Sequence, residues 1–347
     1  MARLGQYEKA IEAFKKALEI DSSHAPSYGS IAGCYAGLEQ DQKAREHFEK
    51  YFELDPSGVT GEFTNSNYGF TLARLGEIQK TNETFRKMTV ADPMWKRARG
   101  HESLAFLAMY QGKLSEAIAN FKKAILINKA EKVADGEFLD HLYLASAYKL
   151  KGRKVDFSSE LAAADRLTAE NDFDPSLISE LATAYARAGK TKDASRLLRE
   201  MHRQAKNLTA MSYLNRTNQG DQASISLVEG EIALANGRGA EAIECLELSH
   251  QLDSRYPVEP LAFAFRKLGK LQMAAEKYKE ITDHFKMGIG YPEQDILAHY
   301  ELARVYKGLN NTQKAKKYYD KFFNIWKDAD PDIPILKQAK SEYAKLQ

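Results

Sequence analysis

The chain has 347 residues, of which 44% are hydrophobic and 28% charged, and its formal net charge at pH 7 is +2. This balance favours neither nucleic acid nor a membrane surface as a partner. The first residues lack the apolar core of a secretory signal, and no apolar run approaches the roughly 18 residues that cross a bilayer, so we expect a cytoplasmic protein. Cys34 and Cys245 lie far apart and form no CxxC motif, which argues against a disulfide scaffold or a structural zinc site.

A repeated pattern runs along the chain from its first residues. Each unit holds a small residue, then Tyr, Gly, Ala, an aromatic or bulky residue and a second small residue at similar spacings. In the second unit these positions, apart from that of Gly, are occupied by Ala32, Tyr35, Ala44, Phe48 and Tyr51. The Ala position recurs at Ala10, Ala44, Thr81, Ala117, Phe157, Ala194, Ala242, Ala274 and Ala315. The Gly position recurs at Gly5, Gly76, Gly112, Gly152, Gly189, Gly237 and Gly269, with Glu39 and Asn310 in two units.

The pattern predicts pairs of antiparallel helices. Small and apolar residues at intervals of three and four place one apolar stripe on a helix, Gly permits a left-handed turn, and a second amphipathic helix follows. Because each pair buries its apolar face only against the next, the pattern predicts an all-α solenoid. The predicted units are 1–22, 23–56, 57–93, 94–130, 131–171, 172–207, 222–254, 255–285 and 293–327, followed by a capping helix at 334–347.

These positions resemble the tetratricopeptide repeat, whose small, Tyr, Gly, Ala, Phe, Ala and Pro positions are matched through eight full units and a first half unit. The resemblance covers essentially the whole chain. It implies a right-handed superhelix whose first helices line a concave groove, and a non-enzymatic role in binding protein or peptide. Thr81 and Phe157 depart from the Ala of the pattern, so we expect altered packing in their two units.

The spacing between the Ala positions of successive units is longest in two places, and this indicates bends in the superhelix. The longest interval contains the stretch 207–222, which is polar and Gly-bearing in its second half, and the other contains Gly288, Gly290 and Pro292. We predict the strongest bends at these two places.

No motif of the sequence indicates catalysis. Gly189, Lys190 and Thr191 resemble the end of a phosphate-binding loop, but Ala184 stands where that loop requires a further Gly, and Gly189 fills the turn position of the repeat. The histidines form no HExxH motif, and we interpret them mainly as packing residues. We therefore predict no enzyme activity, no cofactor and no metal ion.

The helix face that points into the groove carries aromatic and basic side chains. Counted from the small position of each unit, this face includes the residues three before and one, four and five after. We name this selection the groove rule. The second unit offers mostly Gly and Ala there, and Glu102 and Glu259 of the fourth and eighth units also fall on this face. The predicted peptide-binding residues are Phe70, Arg74, Phe106, Met109, Tyr110, Arg187, Phe263, Arg266, Lys267, Tyr300, Arg304 and Lys307.

These residue types predict the chemistry of the partner. Aromatic side chains supply contact area and arginines bind carboxylates through two parallel hydrogen bonds, so we expect an acidic and apolar segment of a protein. The alternative for a single residue, such as Phe106 or Phe263, is that it only packs against the neighbouring helix. Neither nucleic acid nor a membrane is expected as a partner.

The two ends of the repeat array carry different predictions. We interpret residues 1–4 as the remnant of a first helix, which would leave Ala10, Phe14 and Ala17 uncovered unless more chain or a second subunit packs on them. A self-assembling protein that docks through this N-terminal face is therefore the alternative to the peptide-binding scaffold. The apolar stripe of the capping helix is formed by Leu336, Ala339, Tyr343 and Leu346.

The stretch WKDADPDIP joins the last unit to the capping helix. Its alternating aspartates are typical of the start of a calcium loop, but Ile333 and Ala339 stand where that loop requires Gly and Glu. We interpret it as a helix end followed by Asp332 as the N-cap of the last helix. This end of the chain also resembles the C-terminal ends of tetratricopeptide regions of bacterial eukaryotic-like Ser/Thr kinases and winged-helix regulators. That resemblance implies a sensing or adaptor arm of a signalling protein.

Overall fold

The computed structural model describes residues 2–58, 64–209, 215–253, 258–283 and 292–346. The described residues form 18 α-helices and no strand. The helices are α1 (Ala2–Ile20), α2 (Ala25–Gly37), α3 (Asp41–Leu54), α4 (Thr64–Arg74), α5 (Ile78–Met88), α6 (Met94–Tyr110), α7 (Leu114–Ala130), α8 (Ala134–Leu150), α9 (Lys154–Glu170), α10 (Pro175–Arg187), α11 (Thr191–Thr209), α12 (Asn215–Ala235), α13 (Gly239–Leu252), α14 (Glu259–Lys267), α15 (Leu271–Asp283), α16 (Pro292–Gly308), α17 (Thr312–Ile325) and α18 (Pro334–Ala344).

In chain order, helices α2 to α17 follow one another as eight helix–turn–helix segments, while α1 precedes the first and α18 follows the last. The predicted all-α solenoid of helix pairs with a C-terminal capping helix is confirmed. One detail of the prediction is wrong, because α1 is a single helix that runs through Gly5 and its first residues are not the end of a separate helix. Residues 210–214 and 284–291, where much of the two predicted bends falls, lie outside the described residues.

The turn inside each pair requires a residue in the left-handed region. The two units without Gly use the same geometry as the others, since Glu39 and Asn310 have φ of 60° and 56°. After the turn of the fourth unit, the amide of Lys113 donates to the carbonyl of Ala108 at 2.8 Å, which is the pattern that ends a helix at a left-handed residue. The other six turns have φ between +72° and +82° at Gly76, Gly112, Gly152, Gly189, Gly237 and Gly269.

A matched pair of substitutions tests this requirement. Lys132, between α7 and α8, is exposed and has a φ of 56°. An L-residue there costs about 1–2 kcal/mol, and Gly costs about 0.4–1 kcal/mol through the entropy of the unfolded chain. We therefore expect Lys132→Gly to raise the free energy of unfolding, measured with urea, by about 0.5–1 kcal/mol.

The matched opposite is Gly189→Ala. A Cβ at Gly189 would meet no atom within 4 Å, but alanine would have to adopt a φ of +76°. We expect Gly189→Ala to lower the free energy of unfolding by a similar amount. A more stable Gly189→Ala variant or a less stable Lys132→Gly variant would contradict the account of the turns.

The described helices form two compact parts, each of which contains several repeats. We name the residues up to Leu107 the first unit and the residues from Ala108 onward the second unit, and the helix-pair segments are called repeats. The first unit is built on the small and aromatic positions of the repeat, and Ala44 and Phe48 belong to one of its buried clusters. Thr81, which replaces Ala in the third repeat, is fully buried, and its hydroxyl donates to the carbonyl of Gly69 at 3.2 Å. The substitution of Thr for Ala therefore leaves no unpaired polar group.

In the second unit, the segment after α17 binds back to the first helices of that unit. Trp326 is 2% exposed, and its indole N–H donates to the carbonyl of Tyr110 at 3.0 Å. The amide of Asp330 donates to the carbonyl of Gly112 at 3.0 Å, and a Cβ on Gly112 would lie 2.5 Å from that of Ala329. The ninth repeat therefore contacts the fourth, whereas the sequence predicted contacts only between successive repeats.

Two aspartates hold this segment in place. Asp330 accepts hydrogen bonds from the amide and hydroxyl of Ser115 at 2.9 and 2.8 Å, and Asp330 and Asp332 each lie 3.0 Å from Nζ of Lys151. The prediction that Asp332 caps the last helix is wrong, because α18 begins after Ile333 and no side chain caps it. We name Trp326, Asp330 and Asp332, with these partners, the clasp. The clasp holds the two ends of the second unit together.

Candidate functional site

Helices α8, α9, α10, α14, α15 and α16 of the second unit enclose a cavity of about 320 Å³. Four of them, α8, α10, α14 and α16, are the first helices of their pairs, which the sequence predicts on the concave side. The volume lies at the lower end of the roughly 300–1,000 Å³ that is usual for ligand pockets. The lining residues are Leu142, Ala145, Ser146, Lys149, Leu150, Phe157, Leu161, Glu180, Thr183, Ala184, Arg187, Glu259, Phe263, Tyr278, Glu293, Gln294, Leu297, Ala298 and Glu301.

A larger depression of about 960 Å³ lies between α9, α10 and α11. It is open to solvent, and four of its charged residues form two ion pairs, Asp165 with Arg196 at 2.6 Å and Glu200 with Arg203 at 2.5 Å. The smaller cavity is the better candidate for a site because it is less open to solvent and contains buried polar atoms without hydrogen-bond partners among the described residues.

Part of the lining of the cavity is apolar. These aliphatic and aromatic side chains, which we name the apolar wall, come from α8, α9, α14 and α16 and include Leu142, Leu161 and Leu297. Phe157, which replaces the usual Ala in the fifth repeat, also belongs to this wall. The departure from the repeat at this position therefore contributes to the cavity.

Arg187 on α10 binds two carboxylates of the chain. Its Nε and one terminal nitrogen donate to Glu231 at 2.9 and 2.5 Å, and the same terminal nitrogen lies 2.8 Å from Glu259. Burial lowers the pKa of Arg187, but the two carboxylates outweigh burial and raise that pKa above its usual range. Burial raises the pKa of Glu231, which is 2% exposed, although Arg187 opposes this. Arg187 is thus a fixed cation, and its guanidinium carbon lies 5.4 Å from the ring centroid of Phe263.

The arginines further along the unit are paired in the same way. Arg266 lies 2.8 Å from Glu301, and Arg304 lies 3.5 Å from both Glu301 and Glu342. Burial raises the pKa of Glu301, while the two arginines oppose the rise. The arginines predicted to bind carboxylates of an acidic partner are therefore bound to carboxylates of the chain itself.

Glu293 lies in the first turn of α16 and is 4% exposed. Its Oε1 accepts a hydrogen bond from the hydroxyl of Ser146 at 2.5 Å, whereas its buried Oε2 has no hydrogen-bond partner among the described residues. Burial raises the pKa of Glu293 to about 7, against the hydrogen bond from Ser146 and the charge of Lys149. A buried carboxylate with an unpaired oxygen and a raised pKa is typical of functional sites.

Lys149 projects into the same cavity, where its side chain stays accessible to water. The surrounding protein removes part of its hydration and lowers its pKa, and the charge of Arg187 lowers it further, while Glu259 and Glu293 oppose this. Its ammonium group forms no ion pair with any described residue. In all, four carboxylates and two cations line the cavity, and the carboxylates are Glu180, Glu259, Glu293 and Glu301.

The predicted groove residues of the second unit fall into two groups. Arg187 and Phe263 line the cavity, and the charged ends of Arg266 and Lys267 lie 5.6 and 5.9 Å from the ring centroid of Phe263. The remaining predicted residues of this unit do not line the cavity. Tyr300 is 1% exposed, Arg304 covers its ring at 5.4 Å, Lys307 is exposed, Tyr110 is half-buried, and Met109 is 1% exposed.

The predicted groove residues of the first unit are buried or paired. Phe70 and Phe106 are 1% and 0% exposed, so they pack inside the protein, as the alternative for single residues anticipated. Arg74 lies 2.7 Å from Asp41. These three residues offer no free side chain to a partner.

The sequence contained a signal for the residues that were missed. The small residue of the fifth repeat is Ala145. Applied to it, the groove rule selects Leu142, Ser146, Lys149 and Leu150, and all four line the cavity. Glu293 could not be found in this way, because it lies ten residues before the small position of the ninth repeat.

Comparison with known proteins identifies the repeats. A tetratricopeptide repeat model matches residues 2–24, 25–57 and 296–325, and a PPR repeat model matches residues 181–204. The type IV pilus assembly protein PilF of Pseudomonas aeruginosa is 26% identical over 147 residues, which is 42% of this chain and 56% of that protein. The chain thus matches little more than half of the length of this curated relative. Tetratricopeptide repeats are present in the chain.

The chain is similar in fold to a solved structure of IFIT1. A monomeric mutant of IFIT1 with Gppp-AAAA has a TM-score of 0.51 at 14% identity, and the match covers 92% of this chain and 67% of that one. A human IFIT1 dimer with m7Gppp-AAAA has a TM-score of 0.49, with the same identity and coverage. At this identity the likeness concerns the fold alone. Within the described part of the chain, every helix is too short or too polar to cross a bilayer.

Proposed function

We propose that the chain is a non-enzymatic scaffold that binds a segment of a protein partner, with the cavity of the second unit at the centre of the binding site. The observation that carries this proposal is the cavity, where the first helices of four repeats converge on an apolar wall and a buried, unpaired carboxylate oxygen. Concave sites with a few convergent polar groups are typical of binding sites. Tetratricopeptide repeats generally act as scaffolds for protein interactions.

The finer role is a sensing or adaptor arm of a bacterial signalling protein in the cytoplasm. The resemblance of the C-terminal end to signalling proteins motivates this role, and the match to a protein of Pseudomonas aeruginosa supports its bacterial setting. Purification of the chain from its native cells should recover a kinase or a transcriptional regulator. Recovery of envelope components alone would contradict this role.

Nucleic acid is not part of the proposal. The IFIT1 structures hold capped RNA ends, but the cavity of this chain is lined by four carboxylates against Lys149 and Arg187. An excess of negative charge repels phosphate groups. A fluorescence polarisation titration with a capped RNA oligonucleotide should therefore show no binding at micromolar protein, and saturation in that range would refute this part.

Self-assembly through the first helix is the second candidate function. Phe14 and Ala10 on α1 are only half-buried, and Ile20 at its end is 90% exposed. Sedimentation over a concentration series separates the two candidates. A particle that stays monomeric at the highest concentration removes this candidate and leaves the scaffold.

Filling the cavity should abolish peptide binding. Thr183 has a buried hydroxyl without a hydrogen-bond partner, so Thr183→Phe adds volume to the cavity and removes an unpaired group. Peptides selected on the wild-type chain from a random library should bind this variant at least about tenfold more weakly, a loss of about 1.4 kcal/mol. The measurement is fluorescence polarisation with the selected peptides.

The matched control is Val155→Phe. Val155 lies on α9 and is 83% exposed, so the same side chain is added outside the cavity. Equal binding to the two variants, or a selection that enriches no peptide, would rule out the cavity as the binding site.

A further inference from the structure

We propose that the cavity of the second unit recognises a lysine-type side chain of the partner, a primary ammonium group on an unbranched apolar stem. This inference rests on the proposed function and names the group that the site selects. Three observations carry it: the unpaired acceptors, the charge of the lining and the apolar wall.

The unpaired polar atoms of the cavity are mostly acceptors. Oε2 of Glu293 is buried and has no donor, and Oε2 of Glu259 and of Glu301 make ion pairs without well-aligned hydrogen bonds. The hydroxyl of Thr183 is also buried and unpaired. An ammonium group brings three donors and no acceptor, so it complements this set.

The charge of the lining favours a cation. Four carboxylates and two cations give a formal charge of −2 among the lining residues. The charged residues just behind the lining are Glu231, Glu342, Arg266 and Arg304, and their formal charges sum to zero. Burial of a carboxylate without a counter-ion is unfavourable, and an entering ammonium group would supply one to Glu293.

The apolar wall fits the stem of such a side chain. Leu142, Leu161 and Leu297 line the cavity together with Phe157 and Phe263. Long cationic side chains lay their methylene groups along apolar surfaces and keep the charge on polar partners. A volume of about 320 Å³ admits one side chain of this kind with a few waters, and excludes a helix.

Lys149 provides a test that separates a cationic from an anionic ligand. It is the accessible cation of the cavity without an ion pair among the described residues. If the ligand is a cation, Lys149 repels it and Lys149→Met strengthens binding. If the ligand is an anion, the same substitution weakens binding.

The first experiment uses two probes of equal chain length, cadaverine with two amines and glutarate with two carboxylates. Calorimetric titration of the full chain should detect cadaverine and not glutarate. Glu293→Gln should weaken cadaverine binding at least about tenfold, and Lys149→Met should strengthen it. Binding of glutarate without cadaverine, or cadaverine binding that is unchanged in Glu293→Gln, would overturn the proposal.

The second experiment asks whether the cation belongs to a partner segment. In peptides selected on the wild-type chain, replacing the lysine by norleucine should weaken binding at least about tenfold to the wild type and hardly at all to Glu293→Gln. If the selected peptides bind the wild type but not Thr183→Phe, and bind the wild type equally well without a lysine, this inference is refuted and the proposed function stands. Cadaverine binding combined with peptides that do not depend on lysine would also refute it, because the ligand would then be a free amine.

Discussion

Replacing Glu293 with glutamine stabilises the second unit at pH 8. Burial raises the pKa of Glu293 from its ordinary value of 4.5 to about 7, so the folded chain disfavours the charged form. Between these two values the folded chain binds more protons than the unfolded chain, and its stability falls as the pH rises. At 1.36 kcal/mol for each pKa unit, the ionised carboxylate costs up to about 3 kcal/mol above pH 7. Glutamine carries no such cost and can still accept the hydrogen bond from Ser146.

Urea unfolding of the wild type and Glu293→Gln at two pH values measures this effect. The variant should be more stable by up to about 3 kcal/mol at pH 8, and the difference should nearly vanish near pH 4.5. Glu247→Gln, an exposed residue of α13, is the control and should change little at either pH. A destabilised Glu293→Gln variant at pH 8 would show that the carboxylate supports the fold. A stabilised one indicates a residue kept for function at the expense of stability.

Removing Trp326 should open the clasp. This side chain is 2% exposed, its ring lies 5.0 Å from that of Phe322, and its indole N–H donates to Tyr110. We expect Trp326→Ala to lower the free energy of unfolding by about 3–5 kcal/mol, as for other buried aromatic residues replaced by alanine. Since the clasp joins the ends of the second unit, selected peptides should also lose affinity.

Hydrogen exchange locates the effect of this substitution. In Trp326→Ala the amides of α17 and α18 should exchange faster than in the wild type. Trp95→Ala is the control for the residue type, because Trp95 is only half-buried and lies in the first unit. A loss below about 1 kcal/mol in Trp326→Ala, or unchanged exchange in α18, would show that the clasp contributes little.

The repeat predicted the fold because its information is local. The small residues at Ala32 and Ala182 are fully buried, and the Gly position coincides with the left-handed turn of the pairs. Even Glu39, which breaks the pattern, adopts the same φ, because the helices on both sides dictate the turn. Spacing within some thirty residues contains all of this information.

The candidate site was harder to predict because its contacts are distant in sequence. Ser115 and Asp330, which meet in the clasp, are 215 residues apart. The groove rule selects Arg187 and also its two carboxylate partners, since Glu231 directly follows the small residue of the seventh repeat and Glu259 lies three residues before that of the eighth. The ion pairs between them could not be predicted, because the register between repeats is not encoded locally. The groove rule therefore gave the positions of the side chains, whereas the predicted acidic partner was inferred without the ion pairs that neutralise the arginines.

Photo-crosslinking tests the central claim, that the cavity of the second unit binds a partner segment, most directly. A diazirine derivative of leucine, which has nearly the size of the natural side chain and leaves the cavity open, is introduced in place of Leu297, which lines the cavity, or of Val155, which is exposed on α9. Each protein is irradiated with a peptide selected on the wild-type chain, and the products are mapped by mass spectrometry. We expect a crosslink from position 297 and none from position 155. A crosslink from position 155 with none from position 297 would contradict the account.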